Sequence, residues 1–452
     1  MTEVIEQDKD TDRLQALRDA LQADNLSRAQ ELINDMYPAE IAVLLESLPG
    51  PERITAWELV SPELDGEVLT YVNENVRATL IREMESHELV AATEGLDTDD
   101  LADLLAEMPD EVIQHILNTM DAQHRQRLEA VLSYPEDTAG GLMNVDTITV
   151  REDITLDVVL RYLRWHGEIP ETTDSLMVVD REGRYLGLLS LTDLLTRNPD
   201  LSVTEVMIRD VEGINAATPA SEVATLFERR DLISAPVVND DGKLLGRITI
   251  DDVVDVIRDE ADHSVLSMAG LSEEEDLFAP AIPSARRRAV WLSINLLTAF
   301  TAASVVGQFQ EVIQHLVALA VLMPIVASMG GIAGNQVLAL VIRSLAQGVV
   351  VKENTRWLIN KEMAVGVLNG LIFAILVGSA AFVWFQNAGI GLVIGGAMII
   401  NLLCAALAGV IVPVLLRRFG IDPALAGPVI VTTITDVMGF FSFLGLATLF
   451  LI

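Results

Sequence analysis

The sequence is poor in the residues that mark secreted and nucleic-acid-binding proteins. Its single cysteine, Cys404, excludes an intrachain disulfide. Only 30 residues are Lys or Arg, against 66 that are Asp or Glu, so the formal net charge is −36. An acidic surface repels nucleic acid and anionic lipid and attracts cations, although solubility or adaptation to salt would favour the same composition. We therefore expect cation ligands and no nucleic-acid partner.

The start of the chain also lacks the features of a signal peptide. The first residues, "MTEVIEQDKD", are acidic and polar, without a basic start or an apolar core. We therefore expect the acidic part of the chain to stay in the cytoplasm. The acidic residues are unevenly placed, because only five of the 66 lie beyond Arg286. The sequence thus divides into an acidic soluble half and an apolar membrane half.

Five apolar runs of the second half reach the length of about 20 residues that a helix needs to cross a bilayer. The predicted spans are Ala289–Phe309, Val312–Ile342, Met363–Phe385, Ile390–Leu416 and Ala424–Ile452. From Arg286 onward, basic residues occur only before the first span, between the second and third, and after the fourth. The positive-inside rule then places the N-terminus in the cytoplasm and the C-terminus outside. We predict a multi-pass protein of the plasma membrane, which in a bacterium is the inner membrane.

Asp436 is the only charged residue of the last span, and three threonines lie just before it. A carboxylate inside a bilayer is costly and usually faces a water-filled path or a partner. No Lys or Arg of the spans lies deep enough to be that partner. We interpret Asp436 as a carboxylate of a cation path. A proton-relay role in a coupled transporter and a protonated, structural aspartate are the alternatives.

A second polar island, "MPIVASMGGIAGNQ", occupies residues 323–336 of the second span. Its proline and glycines predict a weakened helix with bare carbonyls, and Asn335 and Gln336 add side-chain acceptors. Irregular backbone at membrane depth is tolerated where it lines a cavity, while close packing of small residues is the alternative. One Asp and neutral oxygens suit Mg²⁺, a hard cation that keeps much of its water. Two copies of the chain around an axis would set two Asp436 carboxylates opposite each other.

The acidic half contains an internal repeat. The segment "SLMVVDREGRYLGLLSLTDLL" begins at Ser175, and "SAPVVNDDGKLLGRITIDDVV" begins at Ser234. Each copy predicts a strand, a tight glycine turn, a second strand and a helix start. The pattern resembles a pair of CBS domains, in which the Ser or Thr and the following Asp often hold a nucleotide, so ATP or another adenine nucleotide is implied; helix capping is the alternative role. The matching residues are Ser190, Asp193, Thr249 and Asp252.

Residues 10–133 have apolar residues at i, i+3, i+4 and i+7, with short breaks at Pro or Asp, which predicts helices. The segments "LLESLP" and "LLAEMP" suggest repeated helix pairs, like an α-solenoid. This region has no nucleophile, metal-ligand spacing or phosphate loop, and we expect no enzymatic activity. Acid is concentrated in "DTDDLAD", from Asp97, and in "DDVVDVIRDEADH", from Asp251. Facing acidic surfaces repel each other and are drawn together by divalent ions, whereas an ordinary solvated face is the alternative.

An acidic helical domain, a CBS pair and five spans with "PIVASMGGIAGNQ", "DPALAG" and "TTITDVMG" follow in this order. The arrangement resembles the MgtE family of magnesium channels from about residue 10 to the end of the chain. The resemblance implies a multidomain fold: an all-α, solenoid-like N domain, an α/β CBS pair, a connecting helix and a five-helix transmembrane domain. The expected bounds are 1–133 for the N domain, 134–199 and 200–261 for the CBS domains, 262–285 for the connecting helix and 286–452 for the transmembrane domain.

The resemblance also implies a homodimer in the lipid bilayer, with a pore between the two membrane domains. Asp436 would then select hydrated Mg²⁺, and the second span would line the pore. The pore-lining residues implied are Gly330, Gly331, Gly334, Asn335 and Gln336. Regulatory Mg²⁺ on the cytosolic side would hold the pore closed. The acidic positions that match this role are Glu67, Asp99, Asp103, Asp231, Asp252, Asp255, Glu260 and Asp422.

We therefore predict a Mg²⁺-selective channel for magnesium uptake that intracellular Mg²⁺ closes. One alternative is an ion-coupled transporter or exporter of Co²⁺ or Mg²⁺, with Asp436 as its coupling site. The other is a membrane-tethered, nucleotide-sensing CBS protein whose spans are only an anchor. An anchor needs no carboxylate inside the bilayer, so Asp436 disfavours this second alternative.

Overall fold

A computed structural model describes residues 13–23, 25–106, 108–120, 122–167, 169–170, 172–271, 276–347 and 349–452. The chain divides into two compact units. The N-terminal unit comprises Met1–Ala261 and Glu274–Pro280, and the membrane unit comprises Asp262–Glu273 and Ala281–Ile452. The predicted N domain and connecting helix each include residues outside this description, among them 1–12 and 272–275.

The N-terminal unit begins with a succession of short helices. They are helical residues 13–22, α1 (Leu26–Asn34), α2 (Pro38–Glu46), α3 (Gly50–Trp57), α4 (Asp65–Tyr71), α5 (Glu74–Glu83), α6 (Ser86–Ala92), α7 (Thr98–Ala106), α8 (Asp110–Thr119) and α9 (Ala122–Val131). Asn73 caps α5, since its side chain accepts a hydrogen bond from Val76 N at 3.0 Å. Helices this short are unstable alone, so they depend on a shared apolar core that includes Ile33, Ile41 and Leu45. The predicted all-α first domain is confirmed.

Two copies of one α/β motif follow. Their elements are β1 (Thr149–Arg151), α10 (Leu156–His166), β2 (Ser175–Val179), β3 (Tyr185–Ser190), α11 (Leu191–Thr196), α12 (Val203–Val206), β4 (Ile214–Asn215), α13 (Ala220–Arg230), β5 (Ser234–Val238) and β6 (Leu244–Thr249). The sheets have the orders β1-β2-β3 and β4-β5-β6, each with one parallel and one antiparallel pair. Gly183 and Gly242 make the turns with φ of 82° and 75°, a region that favours glycine. The predicted strand–turn–strand–helix repeat is confirmed.

The leading segment of each copy pairs with the sheet of the other copy. Asn144, which precedes β1, exchanges two backbone hydrogen bonds with Arg247 of β6, at 2.8 and 2.9 Å. Ile208, which precedes β4, does the same with Leu188 of β3, at 2.7 and 2.9 Å. The two copies therefore form one paired α/β domain, because each supplies backbone hydrogen bonds that the other needs.

Helix is described over only part of the predicted connecting segment 262–285. Helix α14 runs from Ile250 to Met268, so it starts before the predicted boundary and ends within the segment. Gly270, with φ of 73°, follows its end and cannot be replaced without strain. The next helix that the structure describes begins at Ala281, directly after Pro280. Glycine after a helix end and proline at a helix start are typical of helix boundaries.

Among the described residues, five helices are long and apolar enough to cross a membrane, as predicted. They are α15 (Ala281–Gln308), α17 (Ala318–Ala346), α18 (Lys352–Phe385), α19 (Ala388–Arg418) and α20 (Pro423–Leu451), with a short α16 (Gln310–His315) between the first two. The predicted second span Val312–Ile342 is wrong at its start, because the backbone leaves the helical conformation at Leu316, with φ of −135° and ψ of 79°. Val312 of α16 still packs in the same apolar cluster as Leu319 of α17, so hydropathy alone gave no sign of the break.

Asn401 is the polar centre of the membrane unit. It is fully buried in α19 and donates from Nδ2 to the backbone O of Val326 in α17, at 2.8 Å. Gly330 of α17 and Gly439 of α20 face it, and a Cβ added at either would lie 2.2 or 2.8 Å from Asn401 Nδ2. The three helices can approach one another because two glycines leave room for one amide.

Gly330→Ala is therefore expected to destabilise the membrane unit by about 1–3 kcal/mol, the usual cost of overpacking. The added methyl must push Asn401 off the Val326 carbonyl, since its Cβ would lie 2.2 Å from Asn401 Nδ2. Thermal unfolding in detergent measures the effect. Gly331→Ala is the matched control, because the nearest atoms to its added Cβ lie 4.0 Å away. Equal unfolding temperatures for the two variants would contradict this packing.

Candidate functional site

Asp436 lies inside α20, one turn after Thr432. The residue is partly exposed, whereas its neighbour Thr435 is fully buried. In the described part of the membrane unit, ion pairs join His263 to Asp422 and Lys361 to Glu362, and none reaches Asp436. A carboxylate placed this way has no protein cation to neutralise it, so it is available to a cation that enters the bundle.

Helix α17 contributes neutral oxygen beside this position. Asn335 donates from Nδ2 to Thr432 Oγ1 at 3.5 Å, and its Oδ1 is buried without a hydrogen-bond partner. A Cβ added at Gly331 would lie 4.0 Å from Thr432 and from Thr435, so the backbone there approaches α20 closely. The side chains of α17 and α20 thus bring one carboxylate, threonine hydroxyls and one amide oxygen to neighbouring turns. This is a set of hard oxygen ligands.

The polar island 323–336 is continuous helix, so the predicted weakened backbone is wrong. Pro324 lies inside α17 without ending it. Gly330 and Gly334 are buried and pack against neighbouring helices. Gly330 faces Asn401, and a Cβ added at Gly334 would lie 2.6 Å from a methyl of Val431. Among the predicted pore-lining residues, the structure places Gly331 and Asn335 toward α20 and leaves Gln336 exposed. The pore role of all five stays a prediction.

A second candidate site is an acidic patch of the N-terminal unit. Asp99 of α7 is only 8% exposed, and its Oδ1 has no hydrogen-bond partner. Burial, followed by the repulsion of Asp252 and then Asp100, raises the pKa of Asp99 well above its usual range. Burial and the neighbouring Asp251 likewise raise the pKa of Asp252 to about 7. Carboxylates from α7 and α14 therefore repel each other across a partly dry contact.

More carboxylates surround this pair. Glu67 and Asp255, with Asp100 and Asp251, raise the pKa of the Tyr71 phenol after the effect of its burial. Glu67 and Asp255 were predicted ligands, and Asp100 and Asp251 were not. Asp100 and Asp251 belong to the acidic segments of α7 and α14. The recurrence of acidic residues one and four positions apart in these segments was the sequence signal that could have identified them. The patch joins residues distant in sequence into one region of negative potential.

Four further regulatory positions were predicted. Asp103 is exposed on α7, Glu260 is exposed on α14, and Asp231 ends α13 in the left-handed conformation with φ of 51°. Asp422 caps α20, since it accepts hydrogen bonds from Ala424 N at 2.8 Å and from Leu425 N at 3.1 Å. Its Oδ2 also lies 3.3 Å from His263 Nε2. The regulatory role of these four residues stays a prediction.

Over the described ranges, no three His, Cys, Asp or Glu side chains converge closely enough to hold a metal ion. The donor set still suits Mg²⁺, because it consists of carboxylates and one of their oxygens is buried and unpartnered at Asp99. A divalent cation here would remove the repulsion that burial intensifies.

Three of the four predicted nucleotide residues make helix-capping contacts, and the fourth, Asp193, forms an ion pair. Ser190 accepts a hydrogen bond from Thr192 N at 3.1 Å, and Asp193 pairs with Arg197 at 2.9 Å. Asp252 Oδ2 accepts from Thr249 N at 3.2 Å and from Thr249 Oγ1 at 3.0 Å. Capping therefore accounts for the side-chain hydrogen bonds of Ser190, Thr249 and Asp252, while nucleotide binding stays a prediction.

The fold and both sites define a multi-pass membrane protein with an acidic helical domain and a CBS pair. Family models match in the same order: MgtE intracellular N domain over 36–137, CBS domain over 139–199 and 203–259, and MgtE, divalent cation transporter, over 323–446. The magnesium transporter MgtE of Thermus thermophilus is 33% identical over 441 residues, covering 96% of this chain and 98% of the relative. The chain belongs to the MgtE family.

Other proteins extend this comparison. The magnesium transporter MgtE of Bacillus subtilis is 28% identical and is covered over 94% of its length by 93% of this chain. Among solved structures, the cytosolic domain of the Mg²⁺ channel MgtE in complex with ATP is 34% identical, with a TM-score of 0.48. The match covers 54% of this chain and 99% of the chain in that structure. The soluble part of a magnesium transporter is 23% identical, with a TM-score of 0.46 and coverage of 56% and 99%.

Proposed function

We propose that this protein is a Mg²⁺-selective channel for magnesium uptake, closed when intracellular Mg²⁺ is high. The observation that carries the proposal is the partly exposed carboxylate of Asp436, which lacks a basic partner among the described residues. The amide of Asn335, on the neighbouring helix α17, lies beside Thr432 one turn before it. Membership in a family of divalent cation transporters supports it, as does the relatives' description as magnesium transporters.

Transport needs no enzymatic chemistry in this proposal. Hydrated Mg²⁺ enters from outside and is attracted by Asp436, while Asn335 presents its amide oxygen on α17. Gly330, Gly331, Gly334 and Gln336 are proposed to line the same path. The membrane potential supplies roughly 2.3 kcal/mol per charge per 100 mV, so about twice that for a divalent ion. Because Mg²⁺ dehydrates reluctantly, a carboxylate acting through the ion's water shell is a better ligand than a closed cage.

Gating is assigned to the acidic patch. Asp99 and Asp252 repel each other when they are charged, and this repulsion favours separation of α7 from α14. Mg²⁺ held by these carboxylates, together with Glu67 and Asp255, offsets the repulsion and favours the closed arrangement. The remaining predicted positions, Asp103, Asp231, Glu260 and Asp422, are proposed as further ligands. An ion can shift such an equilibrium only by its different affinities for the two states.

We further propose a homodimer in the bacterial inner membrane, with the N-terminus in the cytoplasm. The ends of α17 and α19 support the orientation, since Arg417 Nη1 donates to Leu345 O at 2.7 Å and both helix ends carry arginines. The functional divisions are proposed at 133/134, 199/200, 261/262 and 285/286. An adenine nucleotide is proposed as a ligand near Ser190, Asp193, Thr249 and Asp252, where it would compete with the capping contacts.

Uptake into proteoliposomes tests the channel proposal. Mg²⁺ and pH are followed by separate dyes, with Mg²⁺ on the cytoplasmic side varied. We expect uptake without a coupled proton flux, and lower uptake as cytoplasmic Mg²⁺ rises. Obligatory proton movement would favour the coupled transporter instead, and absence of any divalent flux would overturn transport altogether. Light scattering of the detergent-solubilised protein measures the expected dimer.

A further inference from the structure

Arg53 forms a buried, two-point ion pair with a residue far away in the sequence. Its Nη1 lies 2.7 Å from Asp276 Oδ2, and its Nη2 lies 3.0 Å from Asp276 Oδ1. The side chain of Arg53 is 2% exposed and that of Asp276 is 10% exposed. Arg53 Nε also donates to the backbone O of Leu45 at 2.8 Å. The guanidinium is thus fixed by the helical domain and offers its outer edge to Asp276.

Asp276 belongs to the short segment that leads into the first membrane helix. The segment Glu274–Pro280 is part of the N-terminal unit, while the residues on either side of it, Asp262–Glu273 and Ala281 onward, are part of the membrane unit. Asp276 also accepts a hydrogen bond from Phe278 N at 2.8 Å, which orients its carboxylate. The chain therefore returns to the helical domain at Asp276 just before α15 begins.

The described residues that precede this segment pack within the membrane unit. Gly270 packs against the ring of Trp291 in α15, since an added Cβ would lie 1.8 Å from it. His263 of α14 pairs with Asp422, the cap of α20, at 3.3 Å. Arg53 lies in α3, and its hydrogen-bond partner Leu45 lies in α2. A displacement of these two helices would therefore act, through Asp276, on the segment that leads into α15.

The ion pair is of a different kind from the surface pairs of the same domain. Arg28 and Glu31, for example, lie 3.0 Å apart with 58% and 71% of their side chains exposed, and such pairs contribute little. A bidentate and buried pair is specific in geometry. Removal of one member leaves a charge without compensation in a dry site, which is strongly unfavourable. Arg53 and Asp276 are therefore expected to move together.

We propose that Arg53 is a positioning residue for gating, which holds the segment before α15 through Asp276 and transmits the position of the helical domain to the first membrane helix. The proposal rests on the proposed gating by cytoplasmic Mg²⁺. It assigns to Arg53 no contact with the transported ion. Loss of the pair leaves the pore able to conduct and makes cytoplasmic Mg²⁺ a weaker inhibitor.

The test measures Mg²⁺ uptake by full-length protein in proteoliposomes against cytoplasmic Mg²⁺. Asp276→Asn keeps the shape of the side chain and removes its charge, outside the helical domain. We expect uptake at low cytoplasmic Mg²⁺ near the wild-type rate and a half-inhibiting Mg²⁺ concentration raised about fivefold or more, which is the lower range of allosteric couplings. Arg28→Gln is the matched control for an arginine of the same domain and should leave the inhibition curve unchanged.

A covalent replacement of the ion pair separates coupling from stability. Arg53→Cys with Asp276→Cys, in a Cys404→Ala chain, can be bridged by a short bifunctional thiol reagent. Weak inhibition before bridging and restored inhibition after it would support the proposal. Wild-type inhibition in Asp276→Asn, with circular dichroism and unfolding temperature unchanged, would overturn it. A wild-type protein that conducts but is not inhibited by cytoplasmic Mg²⁺ would instead refute the gating proposal on which it rests.

Discussion

Asp436→Asn is expected to reduce Mg²⁺ uptake at least about 100-fold while the protein keeps its fold. Asn has nearly the same shape, so the change removes charge and little else. At an effective dielectric of about 20, a carboxylate attracts a charge 4 Å away by roughly 4 kcal/mol, and a divalent ion by more. A loss of about 2.7 kcal/mol is enough for a factor of 100 in rate. The measurement is initial uptake at low cytoplasmic Mg²⁺, where the gate is expected to be open.

Two further variants show whether the charge at this position is responsible. Asp436→Glu keeps the charge and should retain part of the uptake, with altered selectivity among divalent ions. Thr448→Val removes a hydroxyl of the same helix that donates to Leu444 O at 2.7 Å, and it should behave as wild type. Unchanged uptake in Asp436→Asn would return this carboxylate to a structural role and leave the path of the ion unassigned.

Asp99→Asn combined with Asp252→Asn is expected to stabilise the protein without divalent ions and to abolish most of the inhibition by Mg²⁺. Both folded-state pKa values are raised, so the folded protein binds protons more tightly than the unfolded chain. Its stability is therefore greatest when these groups are protonated and falls as pH rises toward and through about 7. Asn at position 252 can still accept the capping hydrogen bond from Thr249.

Thermal unfolding in a chelator at pH 5.5 and pH 8.0 measures this effect. The wild type should unfold at a higher temperature at pH 5.5, by at least ~2 °C, and added Mg²⁺ should raise the unfolding temperature more at pH 8.0. The double variant should lose most of both differences, and its half-inhibiting Mg²⁺ concentration should rise about tenfold. Asp157→Asn, at an exposed ion pair with Arg161, is the matched control. Retained pH dependence in the double variant would assign it to other carboxylates.

Much of the fold followed from periodic patterns. The repeat at Ser175 and Ser234 predicted two of the three strands in each sheet, because glycine turns and alternating strands leave local marks in a sequence. The short first strands, β1 and β4, were not predicted. The apolar runs likewise predicted five membrane helices. Asp436 was found because a lone carboxylate is conspicuous in an apolar run. These signals are all carried by residues close together in the chain.

The rest depends on tertiary contacts that leave little local trace. The break at Leu316 lies within an uninterrupted apolar run, and the polar island stays helical because Asn401 and neighbouring side chains fill the space beside its glycines. Nothing near Arg53 indicates Asp276, since 223 residues separate them. The acidic segments that contain Asp100 and Asp251 suggested facing surfaces, but their spacing did not show which carboxylates would lie near Asp99 and Asp252.

The exchanged pairing of the CBS copies has a consequence for synthesis. Asn144 leaves the ribosome about 100 residues before its partner Arg247, so at about 5–20 residues per second its backbone edge waits roughly 5–20 s. Leu188 is separated from its partner Ile208 by only about a fifth of that number of residues, so its wait is correspondingly shorter. The pairing of Leu188 with Ile208 can form early. Arg247, the partner of Asn144, is synthesised late, shortly before the first apolar helix emerges. The nascent chain must therefore keep one strand edge unsatisfied almost until membrane insertion begins.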